Sequence, residues 1–385
     1  MGKFLSRRET PYVNLIYFIL LIYFFFIIWL LDGYKNLIKE PNLNTSYRPF
    51  VSVVIAARNE AENIPHLLNY LTNQTYPKNL YEIIIVNDRS LDNSKNMLEK
   101  YENKIENLKV ITINNCPSIW SSKKWAIHNG IKNSNGKIIL QTDADCSMGK
   151  DWIGSMVAPF IDKSVGFVSS LTPLLSKNKN IFKGLFLMDS IAQDIFSGYS
   201  IGKGLALSCN ASSIAYRKSY FLDMKGYHQI KHIISGDDDL ILHKLVHYIG
   251  CRVKFILHPD AAVFSNPPLT LMEFINQRMR YASKGAFYYQ MNFISKEMKI
   301  ILPFLYLINL LSVILIIKFC HTGLGVYFFA LLLKIIPDYF IINPVYEQYK
   351  IKWDWISFIA LVVLHPIYIV SFAIIGPIYK FEWKK

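Results

Sequence analysis

The chain has 385 residues, is 52% hydrophobic and carries a formal net charge of +14, so it is long enough for a full soluble domain and too apolar to be only that. Its basic residues are scattered without a nucleic-acid-binding signature, which excludes an RNA or DNA reader and leaves anionic lipid and anionic small molecules to account for the charge. The cysteines, Cys116, Cys146, Cys209, Cys251 and Cys320, are dispersed and lack C-x-x-C spacing, which excludes a disulfide framework or zinc site and predicts a reducing surrounding for the soluble part.

After an N-terminal tail over 1–11 with Lys3, Arg7 and Arg8, the run Tyr12 to Leu31 holds no charged residue. Its length matches a hydrocarbon core of ~30 Å at ~1.5 Å per residue, which predicts a spanning helix. No small-residue cleavage site follows, so an uncleaved anchor is read rather than a signal peptide. A polar connector over 32–49, punctuated by Pro41 and Pro49, leads into the next unit. Val51 to Ala57 has the composition of a buried strand, and Ile64, Leu67, Leu68 and Leu71 follow at helical spacing. Tyr81 to Val86 is a second strand, Leu91 to Tyr101 its crossover helix, Val110 to Ile113 a third strand, and Lys124 to Asn133 a further helix.

The stretch Lys137 to Cys146 comes next, an apolar run ending in Asp143-Ala144-Asp145. In an extended chain residues i and i+2 point to one side, so both carboxylates are expected to face one object. Hard oxygen ligands completed by phosphates suit Mg²⁺ or Mn²⁺; a solvated acidic turn is the competing reading of a lone D-x-D. The alternation of strand and helix predicts right-handed crossovers and a parallel sheet, with ligands at the C-terminal strand ends.

Downstream, Ser235-Gly236-Asp237-Asp238-Asp239 precedes a helix over Leu240 to Ile249. Carboxylates favour the positive end of a helix dipole, which accounts for one or two of the three. Leu271 to Gln290 is predicted as an amphipathic helix whose Arg278 and Arg280 would by themselves suit a lipid headgroup surface. Three apolar segments follow, Ile300 to Ile317, Leu324 to Ile342 and Trp355 to Tyr379, the middle one containing Lys334, Pro337 and Asp338. Charges in a membrane are costly, and these two stand one helical turn apart, so they are read as a structural pair.

Taken together, Ala57-Arg58-Asn59-Glu60, the loop Asn87-Asp88-Arg89-Ser90-Leu91-Asp92, Lys123, Asp143-Ala144-Asp145, the segment Cys209 to Arg217, Asp237-Asp238 and Gln277-Arg278-Met279-Arg280-Tyr281 resemble, in order, the motifs of glycosyltransferase family 2 in its membrane-anchored bacterial type. The resemblance runs from about Val51 to Gly285. It implies an α/β fold, a GT-A nucleotide-sugar-binding domain with a mostly parallel sheet and flanking helices over 50–268, an interfacial helical region over 269–299, transmembrane α-helices over 12–31 and 300–379, and a basic tail over 380–385.

For individual residues, it implies donor binding by Ala57, Arg58, Glu60, Asp88, Asp92, Lys123, Asp143, Gln277, Arg278, Arg280 and Tyr281, and a Mg²⁺ or Mn²⁺ ion held by Asp145 and Asp143. Asp238 is expected to be the catalytic base, Asp237 to orient the acceptor or the base, and Asp239 to cap the helix; Asn210 and Tyr216 fall on the acceptor side. This sequence departs from the family pattern at Asn87 (usually Asp), Ser122 (often Gly), Ala211-Ser212-Ser213 (G-A-N) and Tyr281 (usually Trp). The implied activity is inverting sugar transfer from a UDP- or GDP-sugar to a lipid-linked or amphiphilic acceptor, in envelope glycan or glycolipid synthesis. The implied location is the inner membrane, multi-pass, with the catalytic domain facing the cytoplasm. The segment Ile181 to Leu207 is read as either a lid on the acceptor side or a plain core helix and loop. A processive polysaccharide synthase and a non-catalytic sugar-nucleotide-binding partner remain as alternatives, whereas the absence of G-x-G-x-x-G after the first strand tells against a nicotinamide oxidoreductase.

Overall fold

The computed structural model describes residues 10–39, 46–175 and 182–378. Helix α1 (Thr10–Lys39) is followed by β1 (Val51–Ala57), α2 (Ile64–Thr72), β2 (Tyr81–Asp88), α3 (Ser94–Glu102), β3 (Leu108–Ile113), α4 (Ser122–Lys132) and β4 (Ile138–Gln141). All residues of β1 and β4 are buried, as expected for strands covered on both faces. Side chains alternate across the sheet: Val53, Ile55, Ile83 and Ile85 pack on the α2 side, and Val54, Ala56, Ile84 and Val86 on the α4 side.

The second half of the domain holds β5 (Ser147–Met148), α5 (Trp152–Val157), β6 (Val165–Ser170), α6 (Lys183–Gly202), β7 (Ile214–Arg217), α7 (Lys218–Asp223), α8 (Asp239–Ile249), β8 (Arg252–Ile256) and β9 (Val263–Phe264). The main sheet has the order β3-β2-β1-β4-β7-β6-β8. Strand β7 is antiparallel to β4 and β6, and the other pairings are parallel. The expected mostly parallel sheet is therefore present, and its one reversed strand lies where the sequence shows no strand pattern. Strands β5 and β9 form a small antiparallel pair just past the end of β4.

The chain closes with α9 (Leu271–Ser283), α10 (Gly285–Gln290), α11 (Lys296–Thr322), α12 (Gly325–Gln348) and α13 (Trp355–Ile375). The expected single amphipathic helix over 271–290 is thus two helices meeting at Lys284-Gly285. Among the described residues, four helices are long and apolar enough to cross a membrane: α1, α11, α12 and α13. The expected connector over 32–49 is helical as far as Lys39, and within that stretch Asp32 pairs with Lys203, just past the end of α6, at 2.9 Å. The expected tail over 380–385 and the residues Lys3, Arg7, Arg8, Ile181 and Tyr379 lie outside the described residues.

Lys334 and Asp338 pair at 2.5 Å, and Tyr23 of α1 donates to the other oxygen of Asp338 at 2.5 Å. The two charges within α12 thereby tie it to α1. Helix α6 is a core helix that packs against α1, α12 and α13, so it joins the sheet domain to the apolar helices. Its crossing with α1 runs through Gly33 and Gly202: a Cβ on Gly33 would overlap the Tyr199 carbonyl, and one on Gly202 would overlap the Gly33 carbonyl. Gly33→Val is therefore expected to destabilise the protein by about 1–3 kcal/mol through overpacking. Thermal unfolding in detergent checks this, and an unchanged midpoint would show that the helices can separate without cost.

Candidate active site

The loops after β1 and β2 are stitched together by their own polar groups. Asn59 and Arg89 have left-handed backbones, φ 55° and 52°, a conformation Asn tolerates and Arg adopts at a cost of roughly 1–2 kcal/mol. Asn59 Oδ1 accepts from Leu91 N at 2.8 Å, and Ser90 Oγ accepts from Asn59 N at 3.0 Å. Ser94 Oγ accepts from the Glu60 backbone N–H at 2.9 Å. The Glu60 carboxylate accepts from Asn63 at 2.6 Å. Asp92 accepts from the backbone N–H groups of Ala61 and Ser94, both at 3.0 Å, and despite burial these bonds hold its carboxyl below the usual range. Asp92, with Asn59, Ser90 and Ser94, thus ties the two loops together, while the Glu60 carboxylate bonds within its own loop.

Asp88 is fully buried at the end of β2 and is gripped by the Arg89 fork at 2.7 and 3.1 Å; Arg89 also donates to Ser122 at 2.7 Å. Ala57 is buried at the end of β1. Arg58 Nε beside it, Asn87 Oδ1 and Thr142 Oγ1 are buried without a hydrogen-bond partner among the described residues. Each orphan of this kind costs about 1–3 kcal/mol unless a ligand or water satisfies it, so the strand ends are built for a polar guest.

The expected alternation of Asp143 and Asp145 does not hold. Strand β4 stops at Gln141, and the chain turns, with Cys146 N donating to Asp143 O at 3.3 Å, so the period of two no longer applies. Asp143 points to Lys123 at 2.8 Å and accepts from Ser212 Oγ at 3.0 Å. Asp145 is half-buried and borders a cleft of about 70 Å³ with Asn63, His66, Tyr70, Ser265 and Asn266.

Lys123 is the junction of the site. Its ammonium lies 2.8 Å from Asp143 and 2.9 Å from Asp237, although the side chain is only 13% exposed. Burial would lower its pKa, but these two carboxylates outweigh burial and raise it. Burial likewise would raise the Asp237 pKa, and Lys123 and Lys124 together lower it. Lys124, which the sequence reading passed over, is wholly buried and donates to the carbonyls of Ile233 and Ser235, supporting the loop from beneath. A signal was present: two lysines in the first turn of a helix oppose its dipole and so call for anionic or carbonyl partners.

Asp238 is the residue that caps α8: its Oδ1 accepts from Asp239 N at 2.7 Å, and its Oδ2 from Ala211 N at 2.9 Å. Burial pushes its carboxyl up to about 7; Lys284 opposes this, and Asp239 and Asp237 add to it. Asp239, expected to be the cap, instead lies inside the first turn, paired with Lys284 at 2.7 Å and accepting from the Tyr288 hydroxyl. Burial would raise its pKa, but Lys284 and these hydrogen bonds hold it well below the usual range. Lys284 and Tyr288 are further residues the sequence reading missed.

Helix α9 divides its motif between two faces. Arg280 is close enough for its charge to act on Lys123 and Asp237, and Tyr281 lies 5.1 Å from its guanidinium. Gln277, half-buried, keeps a buried oxygen without a partner. Arg278 turns away and forms a buried ion pair with Asp189 of α6, so the structure gives it a different partner from the donor diphosphate implied by the resemblance. On the acceptor side, Asn210 caps the short turn at Ala211–Ser213 by accepting from Ser212 N at 3.3 Å. Tyr216 is fully buried in β7, its hydroxyl on Gln141; as a sheet-core residue it has no route to an acceptor.

The donor set fits a hard divalent ion only in part. Among the described residues no group of three or more Asp, Glu, His or Cys side chains could hold one, and Asp143 is already engaged by Lys123 and Ser212. Asp145, at the lip, is a carboxylate of the kind that shares Mg²⁺ or Mn²⁺ with substrate phosphates.

A family model described as Glycosyl transferase family 2 matches residues 52–221. Glycosyltransferase AglE of Haloferax volcanii is 35% identical over 124 residues, covering 32% of this chain and 40% of that protein. Beta-monoglucosyldiacylglycerol synthase of Nostoc sp. is 29% identical over 134 residues, covering 35% of this chain and 28% of that protein. The chain thus matches less than half the length of either. The structure of mannosyltransferase PcManGT from Pyrobaculum calidifontis, in complex with GDP-Man and Mn²⁺, superposes with a TM-score of 0.60 at 17% identity, over 94% of this chain and 98% of that one.

Proposed function

This chain belongs to glycosyl transferase family 2 with a GT-A-like fold, and from that premise we propose that it is a membrane-bound inverting glycosyltransferase moving a sugar from a UDP- or GDP-sugar to a lipid-linked or amphiphilic acceptor in envelope glycan or glycolipid synthesis. The observation that carries the reading is the Lys123 ammonium, which joins the D-x-D loop through Asp143 to the acidic loop through Asp237. It brings a donor-side and an acceptor-side carboxylate to one point. Arg58, Asn87, Asp88 and Arg89 line the strand ends for the nucleoside, where the buried orphan atoms of Arg58 and Asn87 await polar partners.

In this mechanism an acceptor hydroxyl oxygen attacks the anomeric carbon, its proton passes to a carboxylate oxygen of Asp238, and the bond from the anomeric carbon to the diphosphate oxygen breaks. The leaving group departs as a nucleoside diphosphate. A base with a pKa near the working pH is the most effective, and burial brings Asp238 to about 7. A single displacement inverts the anomeric configuration. Arg280 and Tyr281 face the diphosphate, the guanidinium fork matching phosphate oxygens. Asp145 would hold a Mg²⁺ or Mn²⁺ ion, which when bound would neutralise the charge developing on the diphosphate. The structural neighbour's complex with GDP-Man and Mn²⁺ supports this donor class.

The acceptor class follows from four long apolar helices attached to the domain, with the diacylglycerol named in one relative as further support. Nucleotide sugars place the domain on the cytoplasmic face of the cell's inner membrane.

The test is transfer by the purified full chain in lipid nanodiscs. A panel of nucleotide sugars is supplied with Mn²⁺ or Mg²⁺ and membrane lipid extract, and lipid products are read by mass spectrometry. One donor is expected to yield a glycosylated lipid of inverted configuration, lost on chelation. Water-soluble polymer from the same donor would instead identify a processive synthase. Neither transfer nor hydrolysis with any donor would overturn the reading in favour of a non-catalytic binder.

A further inference from the structure

The two arginines of the α9 motif serve different masters, and the difference lies in helix geometry. Residues two apart on an α-helix point about 200° apart, so Arg278 and Arg280 cannot share a face. Arg280 and Lys284 fall on the side of Asp237 and Asp239, and Tyr281 stands between the two faces, its ring 5.1 Å from the Arg280 guanidinium and 5.6 Å from that of Arg278. Phe274, Arg278 and Ala282 fall on the side that packs on α6 and α13: Phe274 stands edge-on to Tyr368 at 5.6 Å, and the Ala282 side chain lies against Gly376.

At the centre of that packed side, Arg278 (6% exposed) is ion-paired with Asp189 (2% exposed), and Tyr368 of α13 donates its hydroxyl to the other oxygen of the same carboxylate. Gln193 donates to Asp189 at 2.9 Å, and the Arg278 guanidinium lies over the rings of Phe274 at 5.2 Å and Tyr368 at 5.7 Å. Three elements from separate parts of the chain thus meet on one buried carboxylate. A buried ion pair adds little net stability, since desolvation offsets most of the attraction; its best-attested use is to fix register. Three donors on Asp189 and three rings around Arg278, those of Phe274, Tyr281 and Tyr368, leave α9 one rotational setting.

We propose that Asp189, Arg278 and Tyr368 form a latch through which the last apolar helix sets the rotation of α9 and so aims Arg280 into the active site. These are positioning residues: none touches the reacting atoms, and each acts through the helix that carries Arg280. The proposal rests on the reading of the site as a sugar-transfer centre only for the meaning of the aim, because the latch itself is a matter of helix register.

Tyr368→Phe tests it, since the substitution keeps the ring against Phe274 and removes one hydroxyl. In the full chain in lipid nanodiscs, amide exchange over 271–283 is expected to quicken about tenfold while β1 and β2 stay unchanged. Misplacement of a charge that acts on the reacting centre costs on the order of tenfold to a hundredfold, so kcat/KM for the donor is expected to fall by about that range. Combining Tyr368→Phe with Arg280→Lys is expected to cost no more than Arg280→Lys alone, because both act through one guanidinium. A wild-type kcat/KM in the Phe variant, or losses that multiply in the double variant, would overturn the proposal. If the wild-type chain transfers no sugar, nucleoside diphosphate affinity replaces kcat/KM as the readout. The latch then stands or falls on exchange and affinity, separately from the chemistry.

Discussion

Asp238→Asn is expected to lower kcat by about 10²–10⁴-fold, the range for losing a positioned general base, while donor affinity stays near that of the unmodified protein. The amide retains one oxygen to accept from either Ala211 N or Asp239 N, the two donors that hold the carboxylate, so the loop keeps one of its two anchoring hydrogen bonds and loses its proton acceptor. The pH profile is the companion readout. Burial brings Asp238 to about 7; Lys284 from the end of α9 opposes this, Asp239 and Asp237 on its own loop reinforce it, and Cys209 and Lys124 face the same loop. A base must be unprotonated to act, so kcat/KM should rise with pH through about 7 and then level off, falling roughly tenfold per unit on the acid side. In the Asn variant that acid limb should disappear from the residual rate. Initial rates from about pH 5 to about pH 9, with donor binding by calorimetry, decide the matter. An Asn variant with full activity, or an unchanged acid limb, would move the base to another residue.

Lys123→Met is expected to be the most damaging substitution for both stability and activity. The lysine is the cation shared by Asp143 and Asp237, at 2.8 and 2.9 Å, and Asp237 is 5% exposed. Removing one member of a buried ion pair leaves an uncompensated charge and typically costs about 3–5 kcal/mol. Met matches the length of the stem, so the loss reports the charge rather than a cavity. Without Lys123 the Asp237 carboxyl should titrate higher, since Lys123 is the largest influence opposing its burial. Thermal unfolding should show the loss near neutral pH, and it should shrink as acid protonates Asp237, whose carboxyl Lys123 holds below the usual range. Transfer should fall with it, because the D-x-D loop and the acidic loop lose their common tie. A variant as stable and active as the unmodified chain would show that the two loops hold their positions by backbone packing alone, with Lys124 sufficient beneath them.

How much of this was legible in the chain follows from the range of each interaction. Strands β1, β2 and β4 were readable because both faces are buried and the sequence therefore runs apolar without a break. The four long apolar helices were readable because lipid imposes a length and a composition on any segment that crosses it. The Lys334–Asp338 pair was readable because its members are one turn apart on one helix. Strands β6 to β9 were not: β7 is short, reversed and built around a tyrosine whose hydroxyl is satisfied only by Gln141 on the neighbouring strand. The motif segment containing Tyr216 therefore looked like a pocket wall and is sheet interior. Asp143 and Asp145 were taken as strand neighbours, and a single turn after Gln141 gives them different neighbours: Lys123 and Ser212 for Asp143, the cleft with Asn63 and His66 for Asp145.

By itself, the sequence determined which segments are buried, which span, and which acidic and basic residues are available at the strand ends, because burial and periodicity are local properties written into each stretch. Only the tertiary structure decided which charge meets which: Lys123 on Asp143 and Asp237, Lys284 on Asp239, Arg278 on Asp189 rather than on a diphosphate. The reason is that an ion pair forms between whatever groups the folded backbone brings within a few ångströms, and a lysine or arginine carries no mark of its partner until distant segments have packed.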